Sequence, residues 1–494
     1  MKKSYTPSSL IGGIVLFVLL FSASAIHAQV GIGTTNPNAS SALDITSTTQ
    51  GLLLPRMTTA QRNTLRATAA NSLMVYDTDL KSFYYFDATA LPAPGTWVKI
   101  NAAANQRDNY KLVKSVADLA PELIAGGGNN YKLSTNTYYE INGLITLAKP
   151  IDLNNAYVSG LDANEDILSF PGGIVFQGNS GGSIRNVTLK GAKAFEITGP
   201  GKSSQTSLLV QNTVVAGMTT NVGSISGFGL YFGNIIQFVF NKDGISYSEI
   251  GNLLLNNQAW LDSNEGTFEK FTGSFDLIEK VSGFSTVNGS DIAIDVSSNP
   301  TVGSGVLQGT VFSGTTTAPS GYIKKYTTGS YTGYNFTNSW TVNCPGIPKE
   351  SDDLATANLY FDTSSVINVT NTNAFKLPVN TKSVRLFRSK VRASPNENNS
   401  IQYQGNKSRA VNIFANFSFT ATGGSRYSFS IYKNGTIVEG TEAIFDVLST
   451  NQRQTASVIG TVNVIPGDYI EIYVQKTTAG NEQFLVTSYN LIMN

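Results

Sequence analysis

Tyr427, Phe429 and Ile431 alternate with Ser428, Ser430 and Tyr432, the period-2 pattern of a strand with one buried face. Asn434-Gly435 follows as a hairpin turn, because both residue types accept the positive φ that a two-residue turn requires. Further strands read at 443–447, 456–464, 469–474 and 484–493, with Pro466-Gly467-Asp468 as a turn. About eight strands of this kind predict a two-sheet jelly roll over 352–494. Residues 107–346 follow another rule. Apolar runs such as Gly143-Leu144-Ile145-Thr146-Leu147 and Ile184-Arg185-Asn186-Val187-Thr188-Leu189 are interrupted by Gly and Asn. Short strands at roughly 8–12-residue spacing fit a sandwich or a parallel β-solenoid, and the pattern favours the solenoid. Residues 172–198 read as one coil and 227–255 as a later one, with apolar residues on a continuous axial core and Asn and Gly at the corners. The alternative is a set of irregular antiparallel sheets. In 29–106, Thr58 or Thr59 can cap a helix over 60–66, and aromatic-rich strands follow at 73–77, 83–87 and 97–100. That is a small core, which gains stability by packing against copies of itself.

Composition agrees with strands and turns. Only 14% of the 494 residues are charged, against a usual share of about 25%, and there are 46 Gly. The only histidine, His27, precedes the expected end of an export signal over 1–28: a basic start at Lys2-Lys3, an apolar run at 10–21 too short to span a bilayer, and cleavage between Ala28 and Gln29. A mature chain without imidazole excludes Ser-His-Asp and Cys-His catalysis and His-ligated metals. The single Cys344 excludes an internal disulfide. Loss of Lys2 and Lys3 leaves 32 basic against 33 acidic residues, so the net charge moves from +1 to −1 and offers no footprint for nucleic acid. No second apolar run is long enough for a membrane span, so the exported product is expected in the medium or on the outer cell surface.

The strings VGIGTTNP (30–37), ALDI (42–45), GLLLPRMTTAQR (51–62) and MVYDTD…FYYFD…WVKI (74–100) resemble an N-terminal module of secreted and surface proteins of the Bacteroidetes, and similar blocks open tail-fibre-like proteins. The central segment resembles the right-handed parallel β-helix of pectate-lyase-like and phage tailspike proteins. The C-terminal strands resemble tail-fibre jelly rolls and trimeric heads of the tumour-necrosis-factor-like type. Together these likenesses imply a homotrimer with a partner-binding tip. The export signal departs from phage structural proteins and points to a cell envelope.

Carbohydrate chemistry has to be weighed, because β-helices of such families often perform it. Glycoside cleavage needs two carboxyl groups at a set separation. Asp291 and Asp295 sit four apart on a predicted strand, about 13 Å along the backbone, which is too far and reads as the solvated face of an alternating strand. Polygalacturonase-like enzymes carry a Gly-His-Gly element that this chain cannot supply, and no Asp-Asp pair adjoins Arg185 for a calcium-assisted lyase. Asp162, Asn164 and Asp166 place oxygens as the start of a calcium loop does, but Ile167 and Gly173 stand where Gly and Glu are needed, so an acidic corner is the simpler reading. Tyr322, Tyr326, Tyr331, Tyr334 and Trp340 cluster among Gly, Ser and Thr, a composition suited to sugar rings or, alternatively, to capping the solenoid. The sequence thus predicts an all-β, exported, non-catalytic, tail-fibre-like adhesin that needs no cofactor and binds a glycan or surface receptor. A secreted β-helix depolymerase and a purely structural envelope component are the alternatives.

Overall fold

The computed structural model describes residues 29–100, 109–316, 321–392 and 398–494, and the chain divides into two compact units, Met1–Gln106 and Arg107–Asn494. Within the second unit the interrupted apolar runs become coils of a parallel β-solenoid with three faces. On the first face Tyr131, Ile151, Phe176, Phe195, Gly223, Ile245, Glu269, Ile294 and Ile323 are successive parallel partners. On the second the column runs Tyr110, Tyr138, Tyr157, Ser183, Leu209, Phe232, Leu254, Glu279, Val306 and Thr341. The third runs from Leu144 and Ile167 through Val214 and Ala259 to Phe284 and Val311.

The corner between the second and third faces explains the Asn content. Asn186, Asn212, Ile235 and Asn257 occupy equivalent places in successive coils, at φ values of 52°, 48°, 54° and 52°. Asn tolerates this left-handed backbone, whereas a β-branched residue such as Ile235 is strained by it. Inside, alternate residues of each strand fill one core from Val113 to Cys344. Rings stack along the axis, Phe176 on Phe195 at 6.3 Å and Trp260 on Phe268 at 4.5 Å between centroids. The short helical segments Val116–Leu119 and Ala120–Ala125 pack on the first coils, bringing Leu119 into the core.

Residues 352–494 fold into two antiparallel sheets, as expected. One has the order Val379–Phe387, Thr356–Ser364, Glu482–Met493, Arg409–Thr420, Gln454–Val464. The other has the order Ser389–Val391, Ile401–Tyr403, Tyr469–Lys476, Arg426–Lys433, Thr436–Ile437. Tyr427, Phe429 and Ile431 point into the shared core, and Asn434 and Gly435 adopt the positive φ values of the predicted hairpin turn.

In the N-terminal unit Thr58 caps the helix Thr59–Leu65. Its hydroxyl accepts from the Gln61 amide while the Gln61 side chain accepts from the Thr58 amide. The helix lays Arg62 over the ring of Tyr84, 3.8 Å from its centroid, and 3.1 Å from the buried Asp77 carboxylate. The strands Met74–Asp77, Ser82–Asp87 and Thr96–Lys99 form one sheet with Arg56–Met57.

Candidate functional site

The aromatic cluster of the sequence reading is split by the fold. Tyr326, Phe336 and Trp340 are buried at the C-terminal end of the solenoid, where the Trp340 indole donates to the Tyr326 hydroxyl at 3.1 Å. Their rings cap the axial core, so Tyr326 and Trp340 offer no face to a ligand. Tyr322 packs partly on the same core. Tyr331 and Tyr334 meet Phe387 of the sandwich, Tyr334 stacking on it at 4.2 Å. This cluster is therefore a joint between solenoid and sandwich. Arg388 completes it. The fully buried guanidinium donates to the carbonyls of Trp340, Glu350 and Asn338 and pairs with Asp352. Opposite it, the buried Glu350 carboxylate accepts from the Asn335 and Phe336 amides at 2.7 and 2.9 Å. Burial pushes this carboxyl up to about 7, against the pull of those amides and of Arg388.

The acidic candidates also have structural partners. Asp166 accepts from the amides of Gly143, Leu161 and Asp162. Burial would raise its carboxyl, but these three donors outweigh burial and hold it below the usual range. Asp162 accepts from the amide and side chain of Asn164, so the loop bonds to itself. Among the described residues no group of three or more His, Cys, Asp or Glu gathers as a metal set would. The expectation for Asp291 and Asp295 needs correction. Asp291 accepts from the Gly266 amide of the preceding coil, and Asp295 lies in Ile292–Asp295, a strand buried along its whole length instead of alternating. Asp295 is itself buried, beside Lys324 of the next coil. Asp295 accepts from the Ser297 amide and hydroxyl and lies 3.3 Å from Lys324. Burial works to raise its carboxyl, yet Ser297 and Lys324 together bring it below its ordinary value.

Two surface cavities lie on the solenoid faces, besides others lined largely by the sandwich. One, of about 320 Å³ on the first face, is lined by Asp243, Lys270, Asp295 and Lys324 among others. The Asp243 carboxylate there accepts from the amides of Gly244 and Thr267. The other, of about 410 Å³ on the second face, is lined by residues from Asn136 to Leu209, of which the sequence reading weighed only Arg185, and that for lyase chemistry. They lie far apart in the chain, and only the coil register brings them together.

Residues 31–112 match the family model of a phage tail like trimerisation region. The matched stretch lies in the N-terminal unit from residue 31 onward and ends within Tyr110–Val113, the first strand of the solenoid's second face. No curated relative matches the chain. Among solved structures, Eiger TNF from S. frugiperda is 9% identical, covering 28% of this chain and 91% of its own, with a TM-score of 0.21. Murine APRIL is 10% identical, covering 27% of this chain and 98% of its own, at 0.18. The enzymatically active domain of bacteriophage CBA120 tailspike protein 4 is 10% identical, covering 89% of this chain and 77% of its own, also at 0.18. Identities and scores this low leave the fold to be read from the strand pairing itself. Of the expected leader, Ala28 and everything before it lie outside the described residues. No helix among the described residues is long and apolar enough to cross a membrane.

Proposed function

We propose that this chain is the protomer of a homotrimeric, tail-fibre-like protein, exported to the outer surface of a cell, that binds a glycan or surface receptor without cleaving it. One observation carries the reading: the matched trimerisation region leaves its apolar side chains in water. Ile32, Leu52 and Leu53 are each more than half exposed, while Val75, Tyr84 and Phe86 are its buried hydrophobic side chains among the described residues. Contacts with two further copies would cover that surface and supply the core that a unit of this size lacks. Three linked tips would then bind a surface with an avidity above that of one site.

Binding without turnover is supported by where the perturbed carboxyls lie. An acid catalyst needs a carboxyl that keeps its proton near neutrality and can touch substrate. Burial raises Glu269 and Glu350 in this direction, and both are sealed within packed cores. Asp295, buried beside the first-face cavity, is shifted the opposite way. The first-face cavity, with Asp243 and Asp295 beside two lysines, favours a second reading, a secreted polysaccharide-degrading enzyme. Light scattering on the mature protein should give three copies, and a strict monomer removes the basis for a fibre. A glycan array should give binding. Reducing ends or unsaturated products from a polysaccharide panel would replace the binding reading with the enzymatic one.

A further inference from the structure

We infer that the cavity on the second face, near the N-terminal end of the solenoid, is a binding subsite for a carboxylate-bearing saccharide. The inference rests on the glycan-binding reading above and names a site and ligand class for it. The cavity arises from one step in a register column. Tyr110, Tyr138 and Tyr157 are successive partners, and the first two rings stack at 6.0 Å and 12°. The next residue of the column is Ser183 and the one after it Leu209. Replacing a phenol ring by a hydroxymethyl group between two large side chains opens part of a cavity of about 410 Å³, with Tyr157 and Leu209 in its lining. Gly182 keeps the backbone close beneath it, since a Cβ there would lie 2.6 Å from the Ala156 carbonyl oxygen.

The polar lining is one-sided in charge. Asn136, Asn155, Gln205, Thr206 and Ser207 bring amides and hydroxyls; among the described residues Arg185 brings the only charge, and no carboxylate lines the cavity. Arg185 projects to the same side as Ser183 because side chains alternate along a strand, and its Nε donates to the Ser183 hydroxyl at 3.0 Å. Among the described residues it has no acidic partner, so its guanidinium fork stays open to a carboxylate. Tyr157 is 47% exposed and offers the flat apolar face on which a pyranose ring stacks. The first-face cavity is charge-balanced, with Asp243 and Asp295 set against Lys270 and Lys324, and so shows no such one-sided preference for an anion.

Calorimetric titration of the full chain with an oligogalacturonate, a neutral galacto-oligosaccharide of equal length and inorganic sulfate tests this. The uronate should bind about tenfold or more tightly than the neutral sugar, and Arg185→Ala should erase that difference. Tyr157→Ala should weaken both sugars by about tenfold. Lys242→Ala, which removes an exposed charge elsewhere on the solenoid, should change neither, and circular dichroism confirms that each variant is folded. If wild-type chain binds saccharide and both cavity variants bind it equally well, the site is wrong while the glycan-binding reading stands. If no saccharide binds the wild type, that reading fails and takes the site with it. If inorganic sulfate displaces the uronate and binds as tightly, the cavity is an anion site and the saccharide assignment is overturned.

Discussion

Replacing Glu350 with Gln should remove a pH dependence built into the solenoid–sandwich joint. The carboxyl is buried, takes the Asn335 and Phe336 amides, and faces Arg388; its value rises from the ordinary 4.5 to about 7 because burial outweighs those donors. Between those two values the closed joint holds a proton that an opened joint has released. Stability from this group is therefore complete below about 4.5 and is lost as pH rises through about 7. At about 1.4 kcal/mol per pH unit, the interval amounts to about 3 kcal/mol, or on the order of a hundredfold in local opening. Hydrogen exchange of the Asn335 and Phe336 amides, corrected for intrinsic rates, reads this opening without requiring two-state unfolding of the chain. Protection should fall between about pH 4.5 and 7 in the wild type, level off above that, and stay flat in Glu350→Gln. Asp353 does not interfere, because the Lys349 side chain beside it holds its carboxyl below the usual range. A flat wild-type profile, or an unchanged slope in the Gln variant, would refute the assignment.

The remaining predictions concern stability. Ile235→Asn should stabilise the solenoid by about 1 kcal/mol, since the φ of 54° suits Asn and strains Ile; Asn212→Ile, at the equivalent corner, should cost about as much, both read from melting temperatures. Arg388→Met should cost about 3–5 kcal/mol by leaving buried acceptors and Asp352 without their donor, and limited proteolysis should then cut between solenoid and sandwich. Lys280→Met should cost a similar amount, because it strands Glu269 in the core, whereas the double change Glu269→Leu/Lys280→Met should recover most of the loss in denaturant melts.

Local pattern made the elements legible, and register hid the site. The hairpin at Asn434-Gly435 was readable because the turn and its flanking alternation lie within a few residues. The Asn-rich corners were readable for the same reason, since each left-handed residue leaves its mark at one position. Asp295 was misread because strand alternation assumes one wet face, whereas Lys324 of the next coil covers it. The aromatics of 322–340 looked like a binding patch because composition does not reveal that Phe387 and Arg388 of the following domain close over them. The cavity at Tyr157 and Arg185 was invisible because its members come from four coils of unequal length. Tyr110, Tyr138 and Tyr157 stand 28 and then 19 residues apart, so no fixed period exposes the column.

Unequal coils raise a problem of uniqueness. A parallel ladder of interchangeable apolar residues tolerates slippage, because a shifted coil still buries aliphatic surface against aliphatic surface. Polar groups inside the solenoid do not tolerate it. Glu269 on the first face reaches Lys280 on the second across the interior of one coil, at 3.0 Å with both side chains buried. At the third corner Asn241 donates to the Val215 carbonyl and to Asn264, and Asn264 donates to the Phe238 carbonyl, which ties three coils together. A slip in either place would bury an unpaired charge or amide, at a cost of several kcal/mol that no alternative packing returns. These groups therefore favour one register over its neighbours even where they add little net stability. The double change Glu269→Leu/Lys280→Met, though recovering most of the lost stability, should accordingly show heterogeneous exchange along 245–308, and uniform exchange in that variant would show that the apolar core alone sets the register.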